Sequence, residues 1–170
     1  MTPTHVALIA LLSFPVPWKH AGPTGAPDRV DGWTLRVQAD RFTGAHTCRL
    51  WRGGIDYQRQ ALVFHLPASI DTAGAVYRID GGPAVPAASD EPELAALGFA
   101  LHDDDLDNPS GGLVRIPSHR LTAAEAVQIE AAPGRRPVKF RISGLTAALA
   151  AARQAGCAEA DFKPVHGARR

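Results

Sequence analysis

GWTLRVQADRFTGAHTCRLW, residues 32 to 51, decides the fold class. Trp33, Leu35, Val37 and Ala39 alternate with polar neighbours, so they occupy one face of a strand, with Thr34, Arg36 and Gln38 on the other. Phe42-Thr43-Gly44 turns the chain, and HTCRLW returns as a second strand in which Cys48 and Leu50 share a face and Trp51 lies on the opposite one. A period of two with one apolar side requires a sheet packed on something.

Working outward, the same period recurs. Gly53-Gly54 signals a hairpin into IDYQRQALVFHLP, read as one strand with Leu62, Phe64 and Leu66 opposite Val63 and His65. AVYRIDGGPAVPA is a hairpin around Gly81-Gly82, with Pro83 marking an edge. GGLVRIP, VQIEA and VKFRI are further strands, the last two joined by the turn PGRRP. SDEPELAALGF carries a short helix signal, with Ser89 or Asp90 as N-cap and Gly98 as the stop. Only SGLTAALAAARQAGC changes period: Leu145, Ala148, Leu149 and Ala152 fall on one helical face, between Ser143 as N-cap and Gly156 as the stop. The expected fold is mainly β, an antiparallel β-sandwich or open barrel, with one C-terminal α-helix packed on the sheet. Alternating β/α units are absent, which argues against a doubly wound fold.

The chain of 170 residues suits one domain. Pro and Gly together number 30, a composition that favours short strands and turns over a helical bundle. A formal net charge of +1 with interspersed acids and bases argues against nucleic acid as a partner. Residues 1–26 hold a short apolar run from Val6 to Phe14, then Pro and small residues ending in Thr24-Gly25-Ala26. This is the pattern of a secretory signal peptide, although only His5 supplies positive charge before the run. The run is too short for a membrane-spanning helix, so no integral span is expected after signal cleavage. Residues 27–162 form the expected β domain and 163–170 a polar, flexible tail.

Two cysteines fit an exported protein. The C-terminal helix ends at Cys157 and delivers it towards Cys48 on the inner strand, so a Cys48–Cys157 disulfide is expected.

The polar side of the chain offers three kinds of candidate. LHDDDLDNPSGG, residues 101 to 112, places four carboxylates within five residues. Set against a helix–loop–helix calcium site, Asp103, Asp105 and Asp107 fall at the first three ligand positions, but Asn108 stands where Gly is required and Val114 where Glu is required. A looser calcium loop on those three aspartates is the one cofactor candidate; a solvated turn through Asp107-Asn108-Pro109-Ser110 is the plainer reading. His102 and the aspartates beside it are also the only place where an acidic or histidine hydrolase site suggests itself. No G-x-S-x-G occurs, and Ser118 and His119 are adjacent in sequence, which points them apart in an extended chain. Lastly, Arg36, Arg49, Arg52, Arg59 and Arg78 dot the strands, either as the polar half of the alternation or lining a groove for an anionic ligand such as a carboxylate or lipid headgroup.

Three segments resemble the invasion-associated locus B family, small exported proteins of alphaproteobacteria. They are the strand from Trp33 leading to TGAHTC at Cys48, the hairpin YRIDGG from Tyr77 to Gly82, and the step FRISGLTAAL from Phe140 to Leu149. The resemblance is distant: the family's pattern implies a cysteine-bearing strand after the IDGG hairpin, where this chain has SDEPELAALGF. It implies a periplasmic or cell-envelope β domain without catalysis and carries over no active-site residue. The expected function is therefore an exported, disulfide-closed β domain, periplasmic or secreted, that binds an envelope protein or a small ligand or supports the cell envelope. The alternatives are a small periplasmic hydrolase around residues 102–107 and a calcium-stabilised, adhesion-like module.

Overall fold

The computed structural model describes residues 27–40, 42–100 and 111–163. The apolar run of the first 26 residues, His102, the aspartates at 103, 105 and 107, and the tail 164–170 lie outside the described residues.

In chain order the strands are β1 (Asp28–Val30), β2 (Trp33–Ala39), β3 (His46–Arg52), β4 (Ile55–Gln58), β5 (Ala61–His65), β6 (Val76–Ile79), β7 (Val85–Pro86), β8 (Leu113–Pro117), β9 (Ala126–Glu130) and β10 (Val138–Arg141). The helices are α1 (Glu91–Ala96) and α2 (Leu145–Gln154). Two sheets form, ordered β1-β2-β3-β4-β5-β8 and β10-β9-β6-β7, with every pairing antiparallel. The outcome is a sandwich of two sheets with α2 packed beside them.

Register explains the core. Leu35, Leu50, Tyr57, Leu62 and Ile116 face one another across five strands of the larger sheet, and all are buried. The smaller sheet offers Tyr77, Val127, Ile129 and Phe140 to the same interior. The sheets touch where Phe64 meets Phe140 edge to face, 5.1 Å between ring centres. At the other end of the larger sheet α2 closes the interior with Leu145, Ala148, Leu149 and Ala152, the four residues its period selects. Burying one such large apolar side chain is worth about 1.5–3 kcal/mol.

Cys48 and Cys157 are joined across a separation of 109 residues. On a chain-entropy argument a loop of that length contributes about 4–5 kcal/mol. The segment beyond the bond is also held: Phe162 pairs beside Cys48, its ring lies edge-on to Tyr57, and the Tyr57 hydroxyl donates to Glu159 Oε2 at 2.6 Å. Burial, and next the Glu159 carboxylate, push the Tyr57 hydroxyl well above its ordinary pKa.

Three expectations need correcting. IDYQRQALVFHLP is two strands, β4 and β5, joined by Arg59-Gln60 with φ of 47° and 63°. A two-residue turn of this kind accepts non-glycine residues at some cost, and nothing in its composition announces it. Ser143 does not cap α2. That position belongs to Gly144, at φ 81°, where a side chain would collide with Asp31; the Ser143 carbonyl instead accepts from Trp33 Nε1 at 3.1 Å and Arg52 at 2.8 Å. Asp90 occupies the N-cap position of α1 without capping it, because its carboxylate turns inward.

Candidate anion-binding face

Because directly opposed residues in an antiparallel sheet share a face, the outward surface of the larger sheet is read from its register. Arg29, Thr34, Trp51, Asp56, Val63 and Arg115 form one row across all six strands. Arg36 stands directly opposite Arg49 in the next row, continued by Gln58, Ala61 and Pro117. Of the strand residues on this face, Asp56 is the sole acid, and it is fully buried and engaged with His65, Nε2 to Oδ2 3.1 Å.

The arginines of the molecule divide into two sets. Arg52 points the other way from Arg49 and Trp51, and its guanidinium spans the carbonyls of Asp31 and Ser143. Arg78 donates to the Gly82 carbonyl on the smaller sheet. Arg153 reaches Glu159 at 3.9 Å. Arg120 pairs with Asp90 Oδ1 at 2.9 Å as an ion pair that does not meet hydrogen-bond geometry, and Asp90 Oδ2 accepts from the Tyr77 hydroxyl at 2.9 Å, so a carboxylate with no exposure to solvent has a counter-charge and one hydrogen bond. Burial, and after it the Asp90 carboxylate, push the Tyr77 hydroxyl up to about 12.

Arg49 and Arg115 are different. Each has a buried Nε with no hydrogen-bond partner among the described residues. Desolvation lowers the pKa of the Arg115 guanidinium, and no acid among the described residues offsets it. Arg115 lies over the Phe99 ring, 5.7 Å from its centre, and Arg59 lies over the same ring at 5.7 Å, donating also to the Gly98 carbonyl. Arg49 gains nothing from Arg36, a like charge directly across the strand pair. Half-buried Trp51 lies two residues from Arg49 on the same face of β3.

Such an arrangement does one thing well chemically. Guanidinium forks recognise carboxylate or phosphate oxygens, aromatic rings hold the forks flat, and a partly desolvated site strengthens each contact. Of the Ser–His neighbours in the sequence, Ser118 is buried beside the Tyr57 hydroxyl, and His119 is exposed and contacts Glu93 at 3.2 Å. No group of three or more metal-binding side chains occurs among the described residues, and His46 faces the Gly156 carbonyl at 3.2 Å.

Of the arginines singled out in the sequence, Arg36, Arg49 and Arg59 come to this face, while Arg52 and Arg78 serve local structure. Arg115 was missed, although the alternation in GGLVRIP already sets it opposite Val114 and Ile116. No known protein family, curated protein or solved structure matches the chain.

Proposed function

We propose that this chain is an exported, disulfide-closed β domain that works by binding, and that its ligand is an anion held on the outward face of the larger sheet. The observation that carries the binding site is the pair Arg49 and Arg115: two half-buried arginines whose buried Nε atoms have no acceptor among the described residues, on a face whose one strand carboxylate is already engaged. An uncompensated desolvated cation lowers stability, so a fold that retains two on one surface is suited to receiving negative charge from outside. Export is supported by the closed disulfide, by the apolar run before Pro15 and by the resemblance to an exported family.

Inorganic tripolyphosphate is a suitable probe. The wild type is expected to bind it saturably, raising the thermal midpoint as ligand concentration exceeds Kd, with an affinity that falls as salt rises. The double variant Arg49→Met, Arg115→Met should bind at least about tenfold more weakly, the loss expected for removing charge-assisted bonds. A wild type that does not respond to millimolar tripolyphosphate at low salt would remove the proposal.

A further inference from the structure

We infer that the anion is a lipid surface, with Phe42 as its apolar anchor; this rests on the anion-binding reading of the same face. Phe42 is fully exposed, one of two large apolar side chains in the open among the described residues. Its position is ordered by a built turn. The Asp40 carboxylate accepts from the Phe42 and Thr43 amides at 2.7 and 2.9 Å, the Asp40 carbonyl accepts from Gly44 at 2.9 Å, and Asp40 N–H donates to Ala45 at 2.8 Å. Those two amides, Thr43 first, hold the Asp40 carboxyl below the usual range, so the one acid of this tip is committed to its geometry. The ring is thus presented from the end of the β2–β3 hairpin, whose outward side bears Arg36, Arg49 and Trp51 and no acid.

Charge and shape select the occupant. The open part of this face is the β2–β3 pair, where Arg36, Arg49 and Trp51 are partly exposed, whereas towards β8 Asp56, Ala61 and Val63 are buried. A small anion engages the guanidiniums of Arg36 and Arg49 but leaves Phe42 in water, whereas a lipid surface engages both the basic pair and the apolar ring. A second copy docked face to face would set two surfaces bearing Arg36 and Arg49 and no strand acid of this hairpin against each other, which like charge disfavours. Reversible attachment to anionic membranes needs two signals, basic charge and an apolar group, and this hairpin holds both.

The test is co-sedimentation of the full chain with vesicles of phosphatidylglycerol and phosphatidylcholine, against vesicles of phosphatidylcholine alone. The mixed vesicles are expected to bind the protein and to release it as salt rises. Phe42→Ser should weaken partitioning by about tenfold, the low end for withdrawing one large side chain from an apolar phase, while leaving tripolyphosphate binding intact. Arg36→Gln with Arg49→Gln should weaken both. Since Val6–Phe14 is apolar in every one of these chains, differences between variants carry the result. Equal uptake by both vesicle types, or uptake indifferent to Phe42→Ser, overturns the inference while tripolyphosphate binding would leave the anion site standing. Failure of tripolyphosphate and vesicles together overturns both.

Discussion

Arg115 and Arg120 bracket one bend, from β8 into the 3-10 turn Ser118–Leu121, and meet opposite surroundings. Arg120 finds a buried carboxylate that a tyrosine also addresses. Arg115 finds a phenylalanine ring and no acid among the described residues. The same side chain is therefore a structural tie in one place and an uncompensated charge in the other. A paired arginine is conserved in energy by its partner and harmful to disturb; an unpaired one lowers stability in the free protein and is useful only when something charged arrives.

Three substitutions sharpen that contrast. Asp90→Ala should cost the most, about 3 kcal/mol, because it strands Arg120 and the Tyr77 hydroxyl around a buried void; chemical denaturation measures it, and a loss below about 1 kcal/mol would mean the cluster is no tie. Tyr77→Phe should cost about 1 kcal/mol and alter the response to alkali. The folded protein holds the Tyr77 proton more tightly than the unfolded chain, whose pKa is about 10, so the native state binds more protons and stability must fall as pH rises from about 10 towards about 12. Thermal midpoints measured across that window should decline less steeply in Tyr77→Phe; identical slopes would show that the proton is held no more tightly when folded. Arg115→Met should have the smallest effect and the opposite sign, leaving stability unchanged or raised by up to about 1 kcal/mol while tripolyphosphate binding weakens. A marked destabilisation would place Arg115 in the structural set beside Arg120.

How far the residues alone carried this is visible element by element. The faces of β2 and β3, the buried stripe of α2 and the Cys48–Cys157 bond all follow from spacing, because each depends on which side of an element a residue occupies. The break between β4 and β5 does not, since Arg59-Gln60 lacks the usual turn residues and the apolar positions run on past it. Capping failed at Asp90 and Ser143 because contacts distant in sequence decide where each helix end lies and what its side chains meet. The Asp90 carboxylate was claimed by distant Arg120 and Tyr77, and α2 begins one residue after Ser143, at the left-handed Gly144, while the Ser143 carbonyl is held by Trp33 and Arg52. The candidate face was half legible: alternation tells which arginines point outward, but whether a carboxylate meets them is a property of register between strands.

The tie between β3 and the segment after α2 also has a consequence in time. β3 lies inside the larger sheet, yet its cysteine waits for a partner 109 residues later. At ordinary synthesis rates that interval is roughly 5 to 20 s, long compared with the formation of any hairpin. During it Cys48 is an unpaired thiol on a half-built sheet, with Phe162 and α2 still absent from its interior face. Final closure of this fold is therefore an event of the completed chain and needs oxidation of both thiols.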